Sequence, residues 1–392
     1  MQEIKRLANE IHTSVIENRR HLHAHPELSF QETETSAFVK ARLDEMGIQW
    51  QPMANTGIVA LIAGDKASDN VIALRADMDA LPIAELNKVD YVSKNDGVMH
   101  ACGHDVHTSS LLGTARILQS ITNKFGGTVK LIFQPGEERL PGGASLMIKE
   151  GILQSPQPSA VIGQHASPVV DTGKIAIRKG KFMASMDEIF LTVHGKGGHA
   201  AQPHMNVDPV LITAEIIVAL QQIVSRLANP LIPTVLSFGK LVGNGAINVI
   251  PDEVNVEGTF RTVDENWRAE AHERIQTISQ KIAKSMGGTC EIKIVRGYPF
   301  LVNEEKLTER IHAFAVEYLG KENVLEADMW MAAEDFAWYS QVVSSCFYLL
   351  GIANKTKGIM SSLHTPTFNI DEESLAISTG LMAYIAVKQL GN

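Results

Sequence analysis

The chain has 392 residues, 45% hydrophobic and 20% charged, with 30 glycines and 15 prolines; it is too long for one ordinary core, and two domains are expected. A formal net charge of −9 leaves no basic surface to neutralise phosphates and argues against a nucleic-acid binder. The cysteines Cys102, Cys290 and Cys346 are too few for a disulfide framework and fit a reducing, cytoplasmic compartment.

The opening stretch, MQEIKRLANEIHTSVIENRR, is charged and amphipathic. It reads as a helix over residues 2–24, with apolar positions at Ile4, Leu7, Ala8, Ile11, Val15 and Leu22, rather than as a signal peptide. The alternating histidines of His21-Leu-His-Ala-His25-Pro26 read as surface or capping residues, since Pro26 would end the helix there. A second helix is predicted from Glu32 to Met46. Two apolar runs follow, Gly57-IVALIA-Gly64 and Asn70-VIALRADMDALP, the second delivering Asp77 and Asp79 at its carboxyl end. Met99-HACGHDVH precedes a helix over Ser109–Leu118. Thr128-VKLIFQPGEE ends a strand on Glu137 and Glu138. A glycine-rich turn, Pro141 to Ala144, leads to a helix near Ser145–Glu150, and Ser159-AVIGQHAS ends another strand on His165.

Continuous apolar strands alternating with helices predict an α/β fold, a mostly parallel sheet covered on both faces. Its reactive edge is where the carboxyl ends of the strands emerge. From about Lys181 the pattern changes to Met186-DEIFLTVHGKGGH (strand), Asp208–Leu227 (helix), Thr234-VLSFGKLVG and Asp252-EVNVEGTFRTV (strands), Asn266–Met286 (helix) and Thr289-CEIKIVRGY (strand). That βαββαβ order predicts a ferredoxin-like domain with an antiparallel sheet. Within it, the apolar stretch from Val210 to Val224 is interrupted by Thr213, Glu215, Gln221 and Gln222 and is expected not to span a bilayer. Residues 299–392 resume the earlier style, with a helix over Asn303–Leu319, a strand at Ser345-CFYLLGIA, a loop carrying His364 and a helix over Glu372–Leu390. The expected domains are therefore 1–180 with 298–392, and an inserted 181–297.

Cys102 and His104 flank Gly103, so both side chains leave one tight bend, and sulfur with imidazole is a transition-metal combination. Each candidate alone has a plain structural reading: Cys102 as a small buried hydrophobe, His165 as a core histidine, Glu137 and Glu138 as a solvated pair. Their coincidence at strand ends points elsewhere. Cys102, His104, Glu138, His165 and His364 exceed the four ligands of a closed zinc site and suit two cations sharing a thiolate. The adjacent glutamates suggest a division of labour. Neighbours in extended backbone face opposite sides, so one of Glu137 and Glu138 would coordinate while the other takes a proton from water. His100 and His107 are left with structural or ligand-orienting roles.

Arg75-ADMDALP, His100-ACGHDVH, Gln134-PGEE, Gly163-QH, Gly195-KGGHAAQPH, Glu334-DF and His364-TPTF together resemble the dinuclear metallopeptidase family that contains aminoacylase-like amidohydrolases. The branch is that of hippurate hydrolase, bacterial N-acyl-amino-acid amidohydrolases and plant indole-acetyl-amino-acid hydrolases, and the likeness covers essentially the whole chain. It implies that Cys102, His104, Glu138, His165 and His364 hold two divalent metals, with Glu137 as general base. Asp79 would orient His104, and His199 on the inserted lid would stabilise the oxyanion. Asn248 and Arg261 would hold the substrate, a small N-acyl amino acid or related acyl conjugate. It also implies a homodimer or higher homo-oligomer through the lid. Two positions depart from the wider family: Cys102 stands where a bridging carboxylate is common, and Gln164 where an apolar pocket-wall residue is common. Mixed N, O and S donors fit zinc or manganese, with cobalt and nickel open. Two further readings remain: a catalytically silent homologue that binds or dimerises, and a thiol hydrolase using Cys102 with His104 as base.

Overall fold

The apolar runs form the centre of an eight-stranded mixed sheet. The computed structural model describes residues 1–391. The chain divides into two compact units, the first comprising Met1–Phe182, Val302–Met329 and the described residues from Asp335 onward, the second Met183–Leu301 with Trp330–Glu334.

In the first unit the strands are β1 (Trp50–Met53), β2 (Gly57–Ala63), β3 (Lys66–Asp77), β4 (Gly126–Gln134), β5 (Ala160–Asp171) and β6 (Ile175–Ile177), then Val324–Glu326 and Ser345–Ala353. Across the sheet the order is β1-β2-β4-β3-β5, then Ser345–Ala353, β6 and Val324–Glu326. The centre is parallel: β3 with β4 and β5, and β5 with Ser345–Ala353. β1 and β2 join antiparallel, so the sheet is mixed. Ser345–Ala353 is buried at every position, as expected of a strand covered on both faces. β5 runs on to Asp171 because its pairing with Ser345–Ala353 continues beyond Ala166. His165 therefore lies inside the strand rather than at its end.

The expected helix over 2–24 is two helices, α1 (Gln2–Glu10) and α2 (His12–Ala24). Ile11 interrupts them with bridge-region dihedrals of φ −93° and ψ 0°. α3 spans Thr33–Glu45 and α5, a short helix, Gly143–Lys149. Between them α4 covers His104–Ser120, starting earlier than its apolar pattern suggested. It is buried over almost its whole length and packs against α2 and the helix Ser374–Leu390. An all-round buried helix shows no clean apolar stripe. Its first turn consequently carries His104 into the interior.

The second unit has a four-stranded antiparallel sheet in the order Thr234–Val242, Glu253–Thr262, Asp187–His194, Thr289–Arg296. With helices α6 (Pro209–Gln222) and α7 (Glu265–Ser285) it makes the βαββαβ arrangement. Asp187–His194 buries alternate residues, setting Ile189, Leu191 and Val193 against Ile212, Ile216, Leu220 and Ile275 of the helices. The predicted strand through the GGH segment is broken: Gly198–His199 forms a separate short strand paired with Val249–Ile250. α6 and the π-helical turn after it, Pro209–Leu227, are long and apolar enough by length and composition to cross a membrane, contrary to the expectation from their interrupting polar residues. Here Ile212, Ile216, Leu220 and Ile223 are buried in the core of this unit.

Asp187 anchors this unit. Its carboxylate accepts from Arg268 Nη2 at 2.6 Å and Nε at 2.9 Å, and pairs with His272 Nε2 at 2.7 Å. Burial alone would raise its pKa, but His272 and Arg268 bring it below the usual value. A depressed carboxyl stabilises the fold above the unfolded pKa of about 4 and loses that contribution as pH falls. Asp187→Ala should therefore cost about 3 kcal/mol near neutral pH, because Arg268 is left buried without its main partner. Urea unfolding at about pH 7 and about pH 3.5 checks this: the deficit should shrink at the lower pH, and a deficit equal at both would contradict the ion-pair origin.

Candidate metal centre and its hydrogen-bonded frame

Three backbone features bring the donors together. β3 ends at Asp77 and is followed by Asp79. Gly103 adopts a left-handed conformation (φ 88°) at the N-cap of α4, which turns the chain between Cys102 and His104 as only glycine does cheaply. β4 ends at Gln134, and the turn after it carries Glu137 and Glu138. His165 comes from β5. His364 lies on a loop with φ 58°, an uncommon conformation for a residue with a side chain.

These side chains meet around one sulfur. Cys102 Sγ lies 3.4 Å from His165 Nε2 and 3.3 Å from His364 Nε2. His364 Nε2 is 3.2 Å from Glu138 Oε1, and His104 Nε2 is 4.0 Å from the same oxygen. Two donor groups, Cys102–His104–His165 and Cys102–Glu138–His364, each gather their ligand atoms within 4.8 Å, with Cys102 common to both. A further group joins Glu137 to His104 and Glu138. Among the described residues, His104 Nε2 and Glu138 Oε1 are buried without a hydrogen bond, although Glu138 Oε1 lies at ion-pair distance from His364 Nε2. Orphaned polar atoms of this kind are costly unless something completes them. With a thiol, three imidazoles and a carboxylate converging, the donor set fits two divalent cations of borderline softness.

The electrostatics agree. Burial alone would lower the pKa of His104, but Asp77, Asp79 and Glu138 raise it to about 10. Burial and the carboxylates of Glu138, Glu137 and Asp77 push the Cys102 thiol well above its usual value. Burial and the neighbouring His107 hold His165 far below the ordinary imidazole value. Its Nδ1 lies 2.7 Å from the carbonyl of Ala166. A proton there leaves the Nε2 lone pair toward Cys102. Around His104 and Cys102 the carboxylates favour positive charge, whereas His165 is held neutral.

A frame of buried carboxylates holds the donors. Asp79 Oδ1 takes His104 Nδ1 at 3.2 Å and the Glu137 amide at 3.0 Å; its Oδ2 accepts from Ser29 Oγ at 2.6 Å and the Glu138 amide at 2.9 Å. Beneath it, Arg75 Nη1 donates to Asp77 at 2.6 Å, Nη2 to Asp335 at 2.7 Å and Nε to Gln134 at 3.0 Å. Asp77 also bonds His107 Nδ1. Because His107 Nε2 accepts the Ala166 amide at 2.8 Å, its proton belongs on Nδ1. This chain of contacts ties the end of β3 to the backbone beside His165.

Several sequence expectations require correction. Glu137 and Glu138 do not face opposite ways: they follow β4 in a turn, not in extended backbone, and both reach His104. His23 is no surface histidine. It is buried, with Nδ1 2.8 Å from Asp105 and Nε2 3.1 Å from Glu85, and Arg19 pairs with the same Asp105 at 2.7 Å. Gln164 is no wall of this site either: it bonds Ser378 on the helix Ser374–Leu390 and Tyr348 on the neighbouring strand Ser345–Ala353. His100 is buried with neither ring nitrogen hydrogen-bonded, and burial lowers it to about 4. The pattern placed Asp77 at a strand end but gave no role to Arg75, Asp335 or Glu32, although a charged residue inside the apolar run VIALRAD was a signal.

The remaining candidates belong to the second unit. His199 is exposed and its Nδ1 accepts the Ala201 amide at 3.1 Å. Asn248, also exposed, contributes its carbonyl to the Ala200 amide at 3.0 Å. Arg261 is half-buried and donates to the carbonyl of Met331 at 3.1 Å; burial lowers its pKa.

The sequence model of peptidase family M20/M25/M40 matches residues 73–388. The chain belongs to this family. It is 40% identical over 393 aligned residues to an N-acetyl-L-cysteine deacetylase of Bacillus subtilis, covering 99% of this chain and 92% of that protein. It is 43% identical over 306 residues to an N-acyl-L-amino acid amidohydrolase of Geobacillus stearothermophilus, covering 78% and 82%. Among solved structures, the YXEP protein of Bacillus subtilis, described as a dinuclear metal binding peptidase of the M20 family, superposes with a TM-score of 0.83 at 34% identity, covering 98% of this chain and 99% of that one. This M20 protein is accordingly a metal-dependent hydrolase with a mixed α/β fold.

The frame is testable apart from catalysis. Arg75→Lys keeps the charge but cannot serve Asp77, Gln134 and Asp335 together. It should lower stability by about 2–4 kcal/mol in urea unfolding; a loss under about 0.5 kcal/mol, the scale of an ordinary surface change, would show that the three contacts are not coupled.

Proposed function

We propose that the protein cleaves the amide bond of N-acyl amino acids or related acyl conjugates. Cys102, His104, Glu138, His165 and His364 are assigned to two divalent cations and Glu137 to general-base catalysis. The observation that carries this reading is the pair of donor groups sharing one sulfur, with His104 Nε2 and Glu138 Oε1 buried and unbonded. The relatives' own names support the substrate class.

When bound, the metals would polarise the substrate carbonyl and acidify water in the site. Glu137, nearly buried and accepting the Asp335 amide at 3.3 Å, takes the proton of the attacking water and returns it to the departing amine nitrogen. The water oxygen thereby ends on the acyl carbon and the amide C–N bond breaks. Asp79 orients His104 through its Nδ1. His199 is assigned to the oxyanion, and Asn248 and Arg261 to holding the substrate, with the Arg261 guanidinium matched to a carboxylate. The mixed N, O and S donors support zinc or manganese, with cobalt and nickel as alternatives. Exposed Val210, Leu211 and Val218 on α6, with Leu241 and Val242 on the edge strand Thr234–Val242, support a homodimer or higher oligomer through the second unit. Three unpaired cysteines support a cytoplasmic location.

A silent homologue is not favoured, since the donors and Glu137 are all present. A thiol nucleophile is disfavoured because Cys102 is pushed up rather than down in pKa. A panel of N-acyl amino acids, assayed with zinc, manganese, cobalt and nickel in turn, tests the reading: hydrolysis of at least one member, abolished by chelation and restored by metal, is expected. Activity insensitive to chelation would defeat it. In the same assay Glu137→Gln should keep its metal content and lose at least about 100-fold in kcat, whereas unimpaired turnover would remove Glu137 from its role.

A further inference from the structure

The stretch His25-Pro-Glu-Leu-Ser-Phe-Gln-Glu32 has no role in the proposed chemistry, yet the turn bearing Glu137 rests on it. Leu28 bridges to Ala80, and the Ala80 amide donates to the Glu27 carbonyl at 2.8 Å, so this segment runs alongside the residues that follow β3. Ser29 Oγ holds Asp79 at 2.6 Å. Glu32 is fully buried. Its Oε1 accepts the Gly136 amide at 2.8 Å and the Phe30 amide at 2.8 Å, and its Oε2 accepts Thr56 Oγ1 at 2.6 Å. Gly136 itself has φ 57°, and a Cβ placed there would come within 2.3 Å of the Phe30 ring. Phe30 in turn holds a positive φ of 65°, a conformation that an aromatic residue adopts only when its surroundings require it.

We propose that Leu28–Glu32 is the positioning element of the general base, with Glu32 as its principal residue. Three consecutive amides, of Gly136, Glu137 and Glu138, are each taken by a buried carboxylate: Glu32 for the first, Asp79 for the other two. The Phe30 ring lies over Gly136 and leaves no room for a side chain there. Glu32 touches neither Glu137 nor the converging donors in any contact described above; it acts through the backbone one residue ahead of the base. The proposal rests on the reading of Glu137 as that base.

The test compares Glu32→Ala and Glu32→Gln in the metal-loaded protein. Glu32→Ala should lower kcat about 10- to 100-fold, the scale of a small misplacement of a catalytic group, with KM within about 2-fold and unchanged metal content. Hydrogen exchange of the amides at 136–138 should accelerate while β4 and α4 stay protected. Glu32→Gln keeps an oxygen for the Gly136 amide and should restore both readouts. Wild-type exchange at 136–138 in Glu32→Ala would overturn the proposal, as would a general loss of protection across the unit. Should Glu32→Ala not fold, Thr56→Val removes one donor to Glu32 and decides in its place: faster exchange at Gly136 supports the proposal, and unchanged exchange overturns it. The exchange measurement needs no substrate, so it stands even if no acyl amino acid is turned over, and failure of the proposed function is thereby distinguished from failure of the positioning role.

Discussion

Donor atoms that are buried but not satisfied govern this molecule. A sulfur, three imidazoles and a glutamate converge, and among the described residues two of their buried polar atoms, His104 Nε2 and Glu138 Oε1, make no hydrogen bond. Nearby stand Asp77, Asp79 and Glu137, all buried. Carboxylates crowded this way repel one another and raise the proton affinity of whatever cationic group they surround, as His104 shows by its rise to about 10. Protons partly relieve that field. Divalent cations do so better, because each neutralises two charges and uses several lone pairs at once.

What holds such a cluster in place is the frame around it. Arg75 ties Asp77 and Asp335 beneath the sheet's end, so Asp77 is spent on structure. Asp79 is shared among His104, Ser29 and two backbone amides. Both carboxylates are anchored by several hydrogen bonds while they also face His104. The same economy explains the turn after β4. A loop carrying Glu137, the proposed general base, would be mobile if solvated, yet here its successive amides are bonded to fixed buried acids.

Much of this was legible in the sequence, for identifiable reasons. Apolar runs closed by Asp77 and Asp79, or by Glu137 and Glu138, mark the carboxyl ends of parallel strands, where α/β sites assemble. Cys102 and His104 about a glycine are a local signal that survives without any fold. The order of helices and strands from Asp187 to Arg296 likewise follows from periodicity alone. His364 was different. Its loop has no periodicity, so its chemistry made it a candidate but no pattern located it before the structure placed it beside Cys102. The burial of His23 was illegible because its partners Asp105 and Glu85 lie far along the chain. The inference that Glu137 and Glu138 diverge failed for a local reason: strand alternation stops at Gln134, and a left-handed glycine redirects the chain.

The central claim is that one cysteine sulfur joins the two halves of the metal site. X-ray absorption at the zinc edge of the fully loaded protein tests it most directly. A sulfur scatterer in the zinc coordination shell, replaced by oxygen or nitrogen alone in Cys102→Ser, is the predicted result. A wild-type spectrum with only nitrogen and oxygen neighbours would contradict it.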